Sequence, residues 1–351
     1  MRGLKRLLVW TLIPVILELT GLVLVDKFYL SDESTFNTKR VDVSTKKQSN
    51  KINVKVPDSA ADIGVSYTGN YISYCDDNGL KVVDTSNNKK KEINLDSGAE
   101  LSAYKWLADR DMLFIAEKLT YDDGSAYLKF ESYNPKQDEK SALSDENRKE
   151  LRIPLDDPGY NVTQIALSSL TNVTYVRVDK ERSKSKIYRI NVMAQSEEIK
   201  YPMCDLGNIA AENKEDRLIY EDSSSNRIRV LGLKNPIATG ENAVHYLLNV
   251  DAEDNIYIGN GNDNKVSKIF VANLKKTRQQ WNTYALSQPV DKSDIYITTS
   301  GKVYINNPSQ NTITELGSGK QITYTGDLIK IYNEGIIYRD GKKVMGKLTE
   351  S

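Results

Sequence analysis

From residue 52 onward the apolar positions alternate along the chain, with almost no three-to-four-residue spacing of the kind a helix shows. The alternation comes in a repeating unit: an apolar strand ending in an aromatic, a polar turn, a second alternating strand and another turn. The first clear copy is Tyr71-Ile72-Ser73-Tyr74, the turn Asp76-Asp77-Asn78-Gly79, the strand Leu80-Lys81-Val82-Val83-Asp84, the turn Ser86-Asn87-Asn88 and then Glu92-Ile93-Asn94-Leu95. Later copies centre on Met112-Leu113-Phe114-Ile115, Val173-Thr174-Tyr175-Val176, Leu218-Ile219-Tyr220, Ile256-Tyr257-Ile258, Ile295-Tyr296-Ile297 and Ile336-Ile337-Tyr338. Before them, Ile52-Asn53-Val54-Lys55-Val56 alternates like a half-buried strand.

Taking the aromatic as a marker gives Tyr74, Phe114, Tyr175, Tyr220, Tyr257, Tyr296 and Tyr338, with separations of 40, 61, 45, 37, 39 and 42 residues. A period of about 44 residues with four short strands per unit is the signature of β-propeller blades, none of which can bury both faces without its neighbours. The expected fold is therefore all-β, a propeller of seven blades, with six or eight left open by the uncertainty of element ends. The long interval holds the charged stretch Asn134 to Glu150, read as a surface insertion between blades. The last copy supplies a hairpin and little chain after Met345. Ring closure thus calls for Ile52 to Val56 as the missing outer strand of the final blade.

Ser66-Tyr67-Thr68-Gly69-Asn70-Tyr71-Ile72-Ser73-Tyr74-Cys75-Asp76-Asp77-Asn78-Gly79-Leu80-Lys81-Val82-Val83-Asp84 resembles a blade of the TolB-type or dipeptidyl-peptidase IV N-terminal propellers, with a weaker echo in Glu215-Asp216-Arg217-Leu218-Ile219-Tyr220. The likeness is one of architecture and covers most of residues 52 to 348. It implies a propeller scaffold, and a scaffold hosts many functions.

The first 26 residues break the pattern. Arg2, Lys5 and Arg6 precede an apolar run from Leu7 to Val25, close to the roughly 20 residues that cross a bilayer. A secretory signal has a shorter apolar region and small residues at its cleavage site, whereas Val25-Asp26-Lys27-Phe28-Tyr29 follows here. Basic residues before the helix place the N-terminus in the cytoplasm and the rest outside it. The expected organisation is a cytoplasmic stub at 1–6, a transmembrane helix at 7–26, a polar tether at 27–50 and an extracytoplasmic propeller at 51–351.

Glu18 is the exception within the apolar run, because a carboxylate inside a span costs a few kcal/mol unless it is protonated or paired. It either contacts a polar or basic group on another membrane protein or stays neutral and is tolerated. The expected partners are the lipid bilayer through residues 7–25, a second membrane protein and an envelope glycan.

Lysine plus arginine and aspartate plus glutamate each total 48, so the basic excess of nucleic-acid binders is missing and nucleic acid is not an expected partner. Removing residues 1–26 takes away three basic and two acidic groups, which leaves the outer domain at net −1. Two cysteines, Cys75 and Cys204, fall in different repeats and read as separate small core residues rather than a framework. The only histidine, His245, lies in the strand-like Val244-His245-Tyr246-Leu247-Leu248 without a G-x-S-x-G elbow, and reads as structural.

Ser44-x-x-Lys47, Ser86-x-x-Lys89 and Ser183-x-x-Lys186 match a serine–lysine pattern that so lysine-rich a chain produces by chance. Asp76-Asp77-Asn78-Gly79, Asp122-Asp123-Gly124 and Asn260-Gly261-Asn262-Asp263-Asn264 offer oxygen ligands without calcium-loop spacing, and turn chemistry explains them. No cofactor, metal or catalytic residue is expected. Tyrosine outnumbers phenylalanine 21 to 5; the tyrosines fit strand positions with a buried ring and a wet hydroxyl better than sugar-stacking surfaces. The functional expectation is a non-enzymatic accessory subunit of a cell-envelope complex, in envelope polysaccharide assembly or export. The alternatives are a propeller hydrolase or lyase acting on envelope polysaccharide and a small-ligand sensor.

Overall fold

The structure is a computed structural model in which residues 52–202 and 204–349 are described, together with Glu18, which is helical. The stub at 1–6, the rest of the expected span at 7–26 and the tether at 27–50 lie outside the described residues. Among the described residues no helix is long and apolar enough to cross a membrane. The chain divides into two compact units, Met1–Gln48 and Ser49–Ser351, and the second carries the repeats.

That second unit contains seven antiparallel sheets. Setting aside β1 (Asn53–Lys55), blade 1 holds β2 (Ala61–Val65), β3 (Tyr71–Asp76), β4 (Gly79–Asp84) and β5 (Lys90–Glu92). Blade 2 holds β6 (Ala99–Trp106), β7 (Leu113–Thr120), β8 (Ala126–Asn134), β9 (Glu139–Ala142) and β10 (Arg152–Leu155). Blade 3 holds β11 (Asn161–Ser168), β12 (Val173–Asp179), β13 (Lys186–Ile190) and β14 (Ser196–Glu198). Blade 4 has three strands, β15 (Leu206–Ala211), β16 (Leu218–Asp222) and β17 (Arg227–Val230). Blade 5 holds β18 (Val244–Val250), β19 (Ile256–Asn262), β20 (Lys265–Ala272) and β21 (Asn282–Asp291). Blade 6 holds β22 (Ile295–Ile297), β23 (Val303–Asn307), β24 (Thr312–Glu315) and β25 (Gln321–Thr323). Blade 7 holds β26 (Asp327–Ile331), β27 (Gly335–Asp340) and β28 (Lys343–Leu348), and β1 pairs with β28 as its fourth strand.

The first strands contact one another from blade to blade and line the centre. The second strands are buried on both faces, which is why they read as nearly continuous apolar runs. In β7, Leu113 and Ile115 pack with Leu80 and Val82 of blade 1, while Phe114 and Ala116 pack with Val176 and Val178 of blade 3. Each large apolar residue of this kind contributes roughly 1.5–3 kcal/mol only when the blade its side chain faces is present.

The closing strand forms as its alternation demands. Asn53 pairs with Met345, Val54 with Val344 and Lys55 with Lys343. Ile52, Val54 and Val56 point inward and are buried, with Ile337 and Val344 in the same cluster.

Three sequence expectations need correction. The aromatic marker sits on the second strand of every blade except as placed in blade 6, where Tyr296 is on the first strand, β22. The equivalent residue is Tyr304 on β23, 2 % exposed like the other markers, whereas Tyr296 is only half-buried. Both strands carry an Ile-Tyr or Tyr-Ile pair, so periodicity alone slipped by one strand.

The stretch Asn134 to Glu150 is not an insertion between blades. β9 pairs with Glu131–Asn134 and β10 with Ala126–Lys129 along the same edge of β8. Blade 2 thus has a fourth strand interrupted by an excursion, held at its neck where the Leu151 N–H donates to the Leu143 carbonyl at 2.8 Å. Finally, Asn260, Gly261 and Asn262 end strand β19 and are not the turn. Asp263 (φ 52°) and Asn264 (φ 61°) make it, both left-handed as a two-residue hairpin requires.

Candidate functional site

Antiparallel strands running outward from the centre put the loops between first and second strands, and between third and fourth, at one end of the propeller. We call this the upper face; β1 begins there, so the chain enters the propeller at this end. Consecutive blades are tied across it. The Thr68 N–H donates to Asp111 Oδ1 at 2.9 Å, Ser169 N–H to Asn213 Oδ1 at 3.1 Å, Asn213 N–H to Asp254 Oδ1 at 2.6 Å and Ala252 N–H to the Thr299 carbonyl at 2.9 Å. The Thr299 hydroxyl then donates to Asn333 Oδ1 at 2.5 Å.

Lower in the channel a second set of ties joins the first strands. Bulges interrupt the pairing of β2, β6, β11, β15, β18 and β26 with their neighbours, and a bulge re-aims side chains. The Tyr104 hydroxyl donates to the Asp62 carbonyl, the Lys105 ammonium to the Ile165 carbonyl and Gln164 Nε2 to Asn208 Oδ1 at 2.8 Å. Asn208 Nδ2 donates to the Leu247 carbonyl at 3.0 Å, and Asn249 Nδ2 to that of Ile297 at 2.9 Å. These bulge residues wall a cavity of about 370 Å³ whose polar lining is Tyr104, Lys105, Thr163, Gln164, Asn208 and Asn249. Its lining includes no carboxylate.

The carboxylates converge elsewhere, where the linker from blade 1 meets blade 2. Asp96 on the linker before β6, Glu117 on β7 and Glu131 on β8 bring oxygens within 4.8 Å of one another, an arrangement a cation could use. Two ammonium groups already sit on those oxygens. Lys129 pairs with Asp96, with Glu131 at 3.2 Å and with Glu150 at 3.4 Å. Lys140 pairs with Glu117 at 2.9 Å and Glu131 at 2.5 Å. Glu117 is 0 % and Glu131 2 % exposed, so the cluster is a buried ionic lock tying the blade 1–2 linker to the divided outer strand.

Burial, followed by the neighbouring Glu131, raises the Glu117 carboxyl above the usual range. The Lys129 hydrogen bond holds Asp96 below it, against the effect of burial. Burial alone would lower Lys129, but its bonds to Asp96 and Glu131 outweigh that and raise it. No motif announced this lock, because its members are 54 residues apart at the extremes and belong to a chain that is 27 % charged.

The sequence-derived candidates fall in separate places. Glu18 lies in the first unit, and the span around it is outside the described residues. His245 is on β18 and 1 % exposed. Its Nδ1 donates to the Ala243 carbonyl at 2.8 Å, so Nε2 accepts from the Thr239 hydroxyl. Burial, then the Arg227 guanidinium, lowers its pKa and keeps it neutral. It is a structural histidine. Asp76 Oδ1 accepts from the Asn78 N–H and Asp123 Oδ1 from the Ser125 N–H, both at 2.9 Å, which is turn chemistry.

Cys75 and Cys204 are both free and half-buried. Burial, then Asp62 and Asp76, pushes the Cys75 thiol up to about 11. At pH 8 it therefore carries about a hundredfold less thiolate than an ordinary cysteine. Iodoacetamide labelling followed by mass spectrometry should find Cys75 at least tenfold slower than a free-thiol peptide. Labelling at the peptide rate would contradict this placement.

No family model and no curated protein matches the chain. Solved structures do. The β-propeller domain of Cps50 (Swd1) from Myceliophteria thermophila superposes with a TM-score of 0.54 at 9% identity, covering 85% of this chain and 100% of that one. Oligogalacturonate lyase from Vibrio parahaemolyticus gives 0.54 at 8%, covering 86% and 92%. A prolyl endopeptidase gives 0.50 at 12% and covers 84% of this chain, which spans only 43% of that protein. Likeness at such identities speaks for fold alone, and with the seven sheets described above it makes the Ser49–Ser351 unit a seven-bladed β-propeller.

Proposed function

We propose that this propeller is a non-enzymatic interaction module, carried outside the cytoplasm on a membrane-spanning helix at 7–26, and an accessory subunit of an envelope assembly. The observation that carries the reading is where exposed apolar side chains gather. Of the six large hydrophobic residues most exposed among the described residues, five (Tyr67, Leu170, Val192, Met193 and Leu233) lie on the upper face and only Tyr121 on the other. Four of those five belong to blades 3 and 4. Leu170 is 66 %, Val192 69 %, Met193 47 % and Leu233 48 % exposed.

Single exposed leucines are ordinary, but a cluster on adjacent loops is the mark of a contact surface. Beside it runs a groove of about 610 Å³ between the blade 2 excursion and the 194–196 segment of blade 3. The partner that fits is a protein whose surface presents a complementary apolar patch. The ionic lock and His245 are each satisfied internally, and the cavity lining lacks the paired carboxylates that glycoside hydrolysis uses. Those facts support an interaction role over the polysaccharide hydrolase or lyase.

The test is co-purification of the full-length protein in mild detergent, with wild type compared against Leu170→Ser/Val192→Ser/Met193→Ser and against Glu18→Leu. Wild type should bring down a stoichiometric companion, and the loop variant should lose at least nine-tenths of it. Loss with Glu18→Leu alone would place the contact in the membrane. A monomer without companion in all three overturns the accessory-subunit reading.

A further inference from the structure

The channel holds two lysines with no ion-pair partner among the described residues. Lys105 is on β6 and Lys330 on β26, the first strands of blades 2 and 7, on either side of β2 in the ring. Both side chains are exposed to water, and loss of solvent inside the ring is the leading influence that lowers each of them. Lys105 also feels the charge of Lys330, and no acidic group acts on either. The hydrogen bond from Lys105 to the Ile165 carbonyl leaves two of its three protons free. Burial and then Lys330 bring Lys105 down to about 8, and burial lowers Lys330.

The lysines that this chain buries more deeply are paired. Lys81 lies 2.7 Å from Glu92, Lys140 2.9 Å from Glu117, and Lys186 pairs with Asp156. Two like charges facing one channel repel, and the fold carries that repulsion without relief from its own side chains. An anion entering between them would relieve it. Gln164 and Asn208 wall one cavity with Lys105, whereas Lys330 stands outside its lining, and each amide spends one proton on a neighbouring blade and keeps the second. The cavity, about 370 Å³, has the size of a small-molecule site.

We propose that the central channel binds a small polyanion, bearing two or more carboxylate or phosphate groups, between Lys105 and Lys330 with the Gln164 and Asn208 amides as further donors. The anionic group is what the lysines recognise. The site is independent of the upper-face contact and would stand if that reading failed.

The experiment is calorimetric titration of the full-length protein in mild detergent with citrate and with inorganic pyrophosphate, using acetate as the single-charge control. Saturable binding of citrate or pyrophosphate, with acetate at least tenfold weaker, is expected. Which of the two binds tighter tells carboxylate from phosphate. Lys105→Met and Lys330→Met should each weaken binding at least tenfold, while Lys234→Met in an upper-face loop leaves it unchanged. Melting without ligand separates recognition from folding. Lys330→Met should melt at or above the wild-type temperature, because it removes repulsion and no bond. No saturable binding of either probe, binding indifferent to both channel substitutions, or a marked loss of melting temperature in Lys330→Met would each overturn the proposal.

Discussion

Deleting residues 51–57 unfolds the entire propeller rather than fraying one blade. The segment carries β1, whose Ile52, Val54 and Val56 are 2 %, 1 % and 4 % exposed. At roughly 1.5–3 kcal/mol for each fully buried aliphatic, the three together contribute about 5–9 kcal/mol. A domain of ordinary stability has only about 5–15 kcal/mol in total. The loss also strips the ladder of β28 and opens the ring between blades 7 and 1, where the Arg339 guanidinium donates to the Ala60 and Pro57 carbonyls. Calorimetry or circular dichroism should show no cooperative melt for the deletion, or one lowered by well over 10 °C. A deletion confined to residues 31–47 should melt like wild type. An unchanged melt for the 51–57 deletion would show that closure does not depend on this strand.

Lys129→Met should be the most damaging single substitution in the ionic lock. It removes one of two ammonium groups from a cluster in which Glu117 and Glu131 are almost wholly enclosed. Breaking a buried pair from one side leaves an uncompensated charge and costs about 3–5 kcal/mol. Glu117→Gln should cost far less, because its amide keeps an acceptor for the Asp96 N–H, now 3.0 Å from Glu117 Oε2.

The two carboxylates also pull stability in opposite directions with pH. Asp96 titrates below its unfolded value, so its contribution is present above that value and is lost as pH falls through the folded one. Glu117 titrates above its unfolded value of 4.5. Its contribution is therefore complete below 4.5 and lost as pH rises through the folded value. Glutamine imitates the protonated form, so Glu117→Gln should gain on wild type as pH rises from 4 to 8. Denaturant unfolding at several pH values measures both effects. A Lys129→Met protein as stable as wild type at pH 7, or a Glu117→Gln difference independent of pH, would show that the lock is not held by charge.

How much was legible follows from how each feature is encoded. Tyr74, Phe114, Tyr175, Tyr220, Tyr257 and Tyr338 mark second strands because a strand buried on both faces needs an apolar run, and the large ring closes the gap to the next blade. That constraint is local, so it survives in the order of residues. Ile52 to Val56 was readable for the same reason, once the last unit was seen to lack a strand. Tyr296 misled because β22 carries the same short apolar signal as a second strand, and only pairing with β23 tells them apart. Asn134 to Glu150 misled because charge marks exposure and says nothing of which edge a segment returns to.

The candidate sites were hidden for a different reason. Lys105 and Lys330 are two lysines among the 48 basic residues of the chain, and nothing in their neighbours marks them. Their placement exists only because seven first strands converge on one axis and the cavity beside Lys105 has no carboxylate in its lining. The ionic lock likewise needs Asp96 on the linker to be brought against Glu117, Glu131 and Lys140 on three strands of blade 2. Leu170, Val192, Met193 and Leu233 look like core residues in a linear reading, and it is the antiparallel order of the strands that lifts them onto one face. By itself, then, the order of residues determined what each segment can bury within a few positions: the blades and the strand that closes them, with seven favoured and six or eight left open until the seven sheets formed. Tertiary structure alone decided which charges are paired, which are left facing a channel and which apolar tips share a surface, because those depend on distances between residues that the chain itself keeps far apart.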